Sequence, residues 1–262
     1  MPRPLTPADL DAIDALRPED WLPYRKTFEH YFALPGCHPW GFEDAGRLVA
    51  MGTLVSFGAT GWLAQVITEK ASQGKGWGFK VVNHLVEEAL NEGIDTLSLV
   101  ATEQGFPLYE KAGFRVEGDY AFWVRSEPAP AEPDASAQLV PWSPGDSRTI
   151  LAMDRQVSGE DREYYLGRDI PHAWMVRDEG YFLPSLGEGL VVASTEAAGI
   201  PLLHRRIDGT ARVVVPVENR WAPAVLASRG FAEEKRIRRM VLGPSLQRKP
   251  QWCWSRIAGN VG

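Results

Sequence analysis

The residues best suited to chemistry form a glycine-rich stretch at positions 73–78, Gln-Gly-Lys-Gly-Trp-Gly. An apolar run at 62–67 precedes it, and residues 81–90 place apolar side chains at helical spacing. This pattern predicts a strand, a turn and a helix. A glycine turn at the start of a helix leaves backbone N–H groups unpaired and lets an anion approach them, so phosphate is the group it would bind. A turn of this type that holds no ligand is equally compatible with the sequence.

Spacing separates three kinds of phosphate-binding loop. A Walker loop requires Ser or Thr after its Gly-Lys pair, and here that position is Gly76. A dinucleotide-binding loop requires a third glycine where Phe79 stands, and an acid at the end of the second strand, whereas Asp95 lies at its beginning. The third spacing, Gln/Arg-x-x-Gly-x-Gly/Ala, is met by Gln73, Gly76 and Gly78. It resembles the acetyl-CoA pyrophosphate loop of the GNAT N-acetyltransferase superfamily.

A second motif lies downstream at 108–114, Leu-Tyr-Glu-Lys-Ala-Gly-Phe. It resembles the second GNAT signature, in which a short helix carries a tyrosine towards the CoA sulfur. Residues 99–114 resemble in particular a tandem-GNAT subfamily that reads Leu-Asp-Ala-Thr-x-x-Gly-x-x-Leu-Tyr-Glu-Lys. Here Val100 stands in place of the aspartate, and Gln73 in place of the more usual arginine. Because Val100 removes a carboxylate of the acceptor site, the resemblance leaves the acceptor open.

The resemblance implies an acetyl-CoA-dependent N-acetyltransferase in which a primary amine attacks the thioester directly. Tyr109 would be the general acid for the departing CoA thiolate, acetyl-CoA would be the co-substrate, and no metal is expected. A backbone N–H among residues 66–68 would bind the carbonyl oxygen, where the strand splays to admit the pantetheine arm. The residues expected to bind acetyl-CoA are Val66, Ile67, Thr68, Gln73, Gly74, Lys75, Gly76, Trp77, Gly78 and Thr102.

The sequence leaves the general base and the class of function partly open. Asp44 and His38 are candidate bases without a distinguishing feature, and Glu69 lies close to the pyrophosphate loop. Two alternatives to an enzyme are a non-catalytic CoA-binding or sensor protein and a scaffold built on tandem GNAT folds. A protein of either kind has no need of Tyr109, so this tyrosine favours the enzyme.

The elements that would position these residues follow from capping and periodicity. Thr6 and Pro7 suit the N-cap and first position of a helix over 5–16, and a second helix is expected over 19–32. Strands are expected at 47–56, 60–69 and 94–101, the first two as a hairpin. With the resemblance, this predicts an α/β (α+β) fold of two GNAT-like modules. Each module would be a mixed, mostly antiparallel twisted sheet flanked by helices.

The chain divides into a GNAT domain over 1–125, a linker over 126–137 and a GNAT-like domain over 138–262. The linker carries three prolines and no large apolar side chain. The Gly-Phe pair at 113–114 recurs at 230–231, and there Leu226 replaces the tyrosine. Residues 190–195, which correspond to the glycine loop, contain no glycine. The second domain is therefore expected to be degenerate, and one CoA is expected per chain.

Composition and net charge limit the classes of partner that the chain is expected to have. The 262 residues carry a net charge of −6, which argues mildly against nucleic acid or an anionic membrane as a partner. Two cysteines give neither a disulfide framework nor a metal cluster. No apolar stretch has the length of a membrane span, and the sequence begins without the apolar region of a signal peptide. We expect a cytoplasmic protein that acts on a small-molecule or peptide amine, and a homodimer is compatible with this.

Overall fold

The computed structural model of the chain describes residues 1–18, 23–127 and 139–262. They fall into two compact units. The first unit comprises Met1–Val116 together with Met240–Ser245 and Gly259–Val261. The second comprises Glu117–Arg239, Leu246–Ala258 and Gly262.

Helices and strands alternate along the described residues. The helices are α1 (Leu10–Ala15), α2 (Arg25–Phe32), α3 (Trp77–Asn91), α4 (Phe106–Lys111), α5 (Ser147–Ser158), α6 (Glu163–Leu166), α7 (Glu196–Ile207) and α8 (Ala222–Ser228). The strands are β1 (Pro2–Pro4), β2 (Cys37–Asp44), β3 (Arg47–Phe57), β4 (Thr60–Thr68), β5 (Thr96–Ala101), β6 (Arg115–Val124), β7 (Val140–Pro141), β8 (Trp174–Val176), β9 (Gly180–Leu183), β10 (Leu190–Ala193), β11 (Arg212–Pro216), β12 (Ala232–Leu242) and β13 (Cys253–Ser255).

The sheet of the first unit has the strand order β1-β2-β3-β4-β5. The first four strands pair antiparallel, and β5 pairs parallel to β4. Helix α3 is the connection between β4 and β5, as a parallel pair requires. Its apolar residues recur at helical spacing, so one face of the helix is buried in the core of this unit. The fully buried residues of that face are Val81, Val82, Leu85 and Ala89.

A glycine inside β3 lets α3 approach the sheet closely. A Cβ at Gly52 would lie 2.6 Å from Cγ1 of Val81 and 2.8 Å from Cδ1 of Leu85. These contacts are too short for any side chain, so glycine is required for this packing. Because Gly52 lies opposite Gln65 and Val66 of β4, it also fixes the height of α3 above that part of the sheet.

The second unit contains another set of strands and helices. Strand β6 pairs antiparallel with β11, from Tyr120↔Pro216 to Val124↔Arg212. A separate sheet has the order β13-β10-β9-β8-β7. Helix α7 connects β10 to β11 and buries Leu202, Leu203 and Ile207 in the core of this unit. Thr195 caps α7, since its hydroxyl accepts from the backbone N–H of Ala198 at 3.2 Å.

The compact units differ from the predicted domain boundaries. Residues 117–125 were expected in the first domain and belong to the second unit, because β6 pairs there with β11. Met240–Ser245 belongs to the first unit, where the Thr96 hydroxyl donates to the Pro244 carbonyl at 2.9 Å. The predicted boundaries treat each domain as one continuous stretch of chain. Most of the expected linker, residues 128–137, lies outside the described residues, and the domain limits stay a prediction.

Most predicted elements of the first half are confirmed. Thr6 caps a single 3-10 turn over Pro7–Asp9, which continues into α1. The hairpin of β3 and β4, helix α3 and strand β5 lie where the periodicity placed them. The second helix is described only as α2 from Arg25, since residues 19–22 of the predicted span lie outside the described part. The predicted class of fold, mixed and mostly antiparallel sheets flanked by helices, is confirmed.

Candidate functional site

The candidate site begins where β4 and β5 separate. These two parallel strands pair at Thr60↔Thr96, Gly61↔Leu97 and Trp62↔Ser98. Within the described residues, no pair between the two strands follows Trp62↔Ser98. The remaining residues of β4, 63–68, keep antiparallel pairing with β3 alone. Along residues 63–68, one edge of β4 therefore has no neighbouring strand, and the backbone groups on that edge are open to a ligand.

A β-bulge lies in this unpaired part of β4. Thr53 pairs with Ala64 and Met51 pairs with Ile67, so Gln65 and Val66 of β4 both oppose the single residue Gly52. Gln65 has φ +44°, a left-handed conformation that costs a non-glycine residue about 1–2 kcal/mol. A bulge bends its strand and re-aims the residues that follow it. Here it turns residues 66–68 relative to the paired half of the strand.

Hydrogen bonding shows which way the backbone beyond the bulge points. The N–H of Glu69 donates to the Val49 carbonyl of β3 at 2.8 Å. Since backbone groups of successive strand residues point to opposite edges, the N–H and C=O of Thr68 face away from β3. The Thr68 carbonyl accepts from the side-chain amide of Gln73 at 3.4 Å on that open edge.

The glycine-rich stretch follows directly and opens α3. Gly74 and Gly76 have φ +75° and +82°, which only glycine adopts readily. Gly76 precedes the first residue of α3, and no side chain caps this helix. In the described chain, no backbone N–H of residues 74–79 donates to a carbonyl. The loop therefore presents unpaired N–H groups at the positive end of a 15-residue helix.

Cationic side chains surround this loop. Lys75 is exposed within it, Lys80 lies 4.2 Å above the Trp77 ring, and Lys111 lies 4.9 Å from the ring of Phe79. The chain as a whole carries a net charge of −6, so this concentration of lysines is local. Together with the open N–H groups, it gives the loop a positive local charge, which suits a multiply charged anion.

The glycine-rich loop and helix α4, which carries Tyr109, are neighbours. A Cβ at Gly78 would lie 3.1 Å from Cδ2 of Leu108, the residue before Tyr109. The side chain of Gln104, just before α4, donates to the Gln73 side chain at 3.4 Å. The structure thus brings together the glycine loop, the final residues of β4 and helix α4. Thr102 has a local role, because its hydroxyl accepts from the N–H of Gly105 at 3.2 Å at the start of α4.

Tyr109 lies in the core with its hydroxyl uncommitted. The side chain is 8% exposed, and its ring contacts the ring of Phe114 at a centroid distance of 6.0 Å. Burial raises the pKa of Tyr109 above its ordinary value, so the hydroxyl is protonated at neutral pH. Among the described residues, its oxygen has no hydrogen-bond partner. No described protein group therefore competes for this hydroxyl.

Comparison with known families agrees with this geometry. Residues 8–114 match the model of the acetyltransferase (GNAT) family. This part of the chain is a GNAT acetyltransferase domain. A stretch of 127 residues is also 28% identical to an uncharacterized N-acetyltransferase, YitH, of Bacillus subtilis (strain 168). The match covers 48% of this chain and 44% of that protein, so the chain spans less than half the length of this relative.

Solved structures extend the likeness to the whole chain. A putative acetyltransferase from Pyrococcus horikoshii is 21% identical, with a TM-score of 0.86 over 100% of this chain and 95% of that one. A tandem GNAT protein from the clavulanic acid biosynthesis pathway is 15% identical, with a TM-score of 0.60 over 94% of this chain and 99% of the other. At these identities the likeness concerns the fold, and it confirms the tandem GNAT architecture.

Glu69 and the two candidate bases, His38 and Asp44, have other surroundings. Arg47 binds both carboxylate oxygens of Glu69, and this contact is the main reason that the pKa of Glu69 is lowered. His38 lies 3.6 Å from Glu92, which directly follows the last residue of α3, at the opposite end of that helix from the glycine loop. Asp44 ends β2 and is exposed. The geometry brings neither His38 nor Asp44 to the loop.

In the second unit, the position equivalent to the gap between β4 and β5 is occupied by a strand. In chain order, β10, α7 and β11 correspond to β4, α3 and β5 of the GNAT domain. Strand β13 pairs with β10 at Val191↔Ser255 and Val192↔Cys253. The N–H of Arg256, the residue after β13, donates to the Val214 carbonyl of β11 at 3.1 Å. A strand of the protein itself therefore lies where the GNAT domain has an opening.

Trp254 of β13 fills the space beneath α7. Its ring is fully buried, and a Cβ at Gly199 of α7 would overlap it. Its indole N–H donates to the Ala193 carbonyl at 3.3 Å, and its ring stacks on Trp221 at 5.8 Å. In the second unit, the strand edge of β10 is therefore covered by β13, and α7 is capped by Thr195. The GNAT domain has an open strand edge and a helix without a side-chain cap at the same positions.

Several residues of the site carry weak signals in the sequence. Gln65 interrupts an apolar strand and Gly52 stands inside another, and both are typical of a bulge or a close approach. Gln104 carries no signal of its own. In the described ranges, no helix is long and apolar enough to cross a membrane. Nor do the described side chains include a cluster of three His, Cys, Asp or Glu suited to a metal.

Proposed function

We propose that this chain is an acetyl-CoA-dependent N-acetyltransferase that moves an acetyl group to a primary amine. One observation carries the proposal. The open edge of β4 runs directly into a loop of unpaired N–H groups, so a long ligand with a phosphate at one end fits both. The relatives and the GNAT domain support the same reaction class. The acceptor is a small-molecule or peptide amine, and a cytoplasmic location and a homodimer stay predictions.

The residues of the site fit acetyl-CoA. Residues 73–78 would hold its pyrophosphate through backbone N–H groups, with Lys75 adding charge. The open edge of β4 would hold the pantetheine arm, since its Thr68 carbonyl and N–H have no strand partner on that side. Bound in this way, acetyl-CoA supplies an activated acetyl thioester.

Strand alternation sharpens which backbone N–H would bind the thioester carbonyl. Ile67 pairs with Met51 in the ladder with β3, and the Glu69 N–H points to β3 as well. The N–H groups of Thr68 and Val66 face the other edge, by the two-residue repeat of a strand. We therefore place the donor at Val66 or Thr68 rather than at Ile67. A donor fixed by the sheet before the substrate arrives stabilises the developing negative charge without reorganisation.

Tyr109 would donate to the departing thiolate as the general acid. Its hydroxyl is protonated and makes no other hydrogen bond in the described chain, and Leu108 beside it touches the first turn of α3. The geometry supports neither candidate base, His38 or Asp44, in the role of general base. An amine that arrives uncharged needs no base before it attacks, and solvent can take up the proton afterwards.

The experiment that tests the site compares two variants of one glycine. Gly76→Asp places a carboxylate beside the expected pyrophosphate, and Gly76→Asn places a neutral side chain of the same shape there. Asn and Asp both tolerate the left-handed conformation that Gly76 has. We expect isothermal titration to show a much larger loss of CoA affinity for Asp than for Asn. Equal and unchanged affinities in both variants would refute the placement of the pyrophosphate.

A non-catalytic CoA-binding or sensor protein is the alternative. It is favoured by the surroundings of His38, Asp44 and Glu69, which leave the described residues without an assigned base. A screen for thiol release from acetyl-CoA over a library of primary amines distinguishes the two functions. CoA binding without release for any amine supports the sensor, and a scaffold predicts that CoA does not raise the melting temperature.

A further inference from the structure

The bulge residue Gln65 is held in place by a chain of side-chain hydrogen bonds. The Tyr31 hydroxyl of α2 donates to Oε1 of Gln65 at 2.9 Å. Asn260 in turn donates from its side-chain amide to the Tyr31 hydroxyl oxygen. Asn260 lies 229 positions further along the chain, and its segment Gly259–Val261 belongs to the same compact unit as Tyr31 and Gln65.

The members of this chain are well fixed. Tyr31 is fully buried, and its ring meets the ring of Phe28 edge to face at 5.6 Å. Asn260 is 6% exposed. A hydroxyl that accepts one hydrogen bond donates a second one more strongly, so the Asn260 contact reinforces the Tyr31 bond to Gln65. These contacts end on the one residue of β4 with a left-handed backbone.

We propose that Tyr31 and Asn260 are positioning residues, which hold the bulge of β4 so that residues 66–68 face the thioester. The proposal rests on the proposed function for its catalytic consequence. Without the side-chain bond, Gln65 gains by relaxing to ordinary extended backbone, and the bulge is lost. A strand that loses a bulge shifts its register by one residue, which turns each following N–H to the other edge. Thr68 would then point its N–H towards β3.

Tyr31→Phe removes the hydroxyl and keeps the ring. Tyr24→Phe is a matched control in the same unit, because the buried Tyr24 hydroxyl donates to the Ile13 carbonyl at 3.0 Å and makes no hydrogen bond to β4 in the described residues. Tyr24→Phe loses one neutral hydrogen bond, whereas Tyr31→Phe loses two, one to Gln65 and one from Asn260, so Tyr31→Phe should lose somewhat more stability. Only Tyr31→Phe should affect the strand.

Hydrogen–deuterium exchange of the β4 peptide measures the strand without any substrate. We expect exchange over residues 62–69 to be about fivefold faster in Tyr31→Phe, since the hydrogen bond from the Tyr31 hydroxyl to Gln65 is lost. Asn260→Ala should change it in the same direction, and Tyr24→Phe should leave it within about twofold of the original chain. Exchange in Tyr31→Phe that matches Tyr24→Phe would overturn the proposal.

A glycine at position 65 separates positioning from packing. Glycine adopts φ +44° without strain, so Gln65→Gly keeps the bulge without needing the hydrogen bond. We expect Tyr31→Phe to lower kcat/KM for thiol release about fivefold, and to have no further effect in the Gln65→Gly background. A loss of the same size in both backgrounds would assign Tyr31 to core packing alone and overturn the proposal.

The two proposals fail in different ways. A chain that binds no CoA and acetylates no amine refutes the proposed function, and the exchange data still decide whether Tyr31 and Asn260 hold the bulge. An active chain in which Tyr31→Phe and Asn260→Ala change neither exchange nor kcat/KM refutes only the positioning of the bulge.

Discussion

Replacement of Tyr109 by phenylalanine tests the chemistry of the GNAT domain most directly. The substitution keeps the ring in the core and its contact with Phe114, and it removes only the hydroxyl oxygen. That oxygen has no hydrogen-bond partner among the described residues, so no buried group is left unpaired when it goes. We therefore expect the free energy of unfolding to change by no more than about 0.5 kcal/mol.

The effect on turnover follows from the charge of the leaving group. A thiol has a pKa of about 8–9, and burial raises the pKa of Tyr109 above that of an ordinary tyrosine. Complete proton transfer from Tyr109 to the thiolate is then uphill, and the main contribution is a hydrogen bond to a charged sulfur. Such a bond contributes about 1.5–3 kcal/mol, so kcat should fall about 10- to 100-fold with CoA affinity nearly unchanged.

The assay is thiol release from acetyl-CoA with the fastest amine of the screen, under conditions where chemistry limits the rate. Tyr120→Phe is the matched control, because Tyr120 is a buried tyrosine of the second unit and burial raises its pKa to about 12. It should keep the original kcat. A Tyr109→Phe variant that turns over as fast as this control would show that Tyr109 only packs the core.

Three further predictions concern the second unit. Titration with CoA should give one site per chain, since β13 closes the gap there, and two equivalent sites would refute this. Gly199→Ala should lower the free energy of unfolding by about 1–3 kcal/mol, because the added methyl group overlaps Trp254. Gly145→Ala is the control, since its added methyl group has no atom within 4 Å, and it should leave stability unchanged. Equal melting temperatures for the two variants would contradict the packing of Trp254 against Gly199. Burial raises the pKa of the Cys253 thiol to about 12, so iodoacetamide at pH 8 should modify it only after the protein unfolds. Mass spectrometry of the Cys37→Ser variant checks this, because that variant lacks the other free cysteine.

The parts of the site that depend on local sequence were predictable. The positive φ angles of Gly74 and Gly76 and the start of α3 follow from residue type and apolar spacing, which act over a few positions. The same holds for Thr6, whose cap needs only residues up to Asp9. Such features do not depend on what the rest of the chain does.

The parts that depend on distant contacts were not predictable. The bulge at Gln65 requires the pairing of β3 with β4 and the closeness of α3 to Gly52. Its hydrogen-bond chain requires Asn260, which no local pattern connects to Tyr31. The assignment of residues 117–125 to the second unit has the same origin, because β6 follows α4 in sequence but pairs with β11.

The two halves of the chain differ in whether their own residues cover the strand edge and the start of the helix. In the GNAT domain, a strand edge is open beyond Trp62, and the helix that follows has no side-chain cap. In the second unit the same strand–helix–strand order is present, but β13 covers the edge and Thr195 caps the helix. Backbone groups without a protein partner are satisfied by water or by a ligand. The second unit satisfies the equivalent groups with its own residues, and the GNAT domain leaves them for a ligand, which is why we assign the binding of acetyl-CoA to the first half alone.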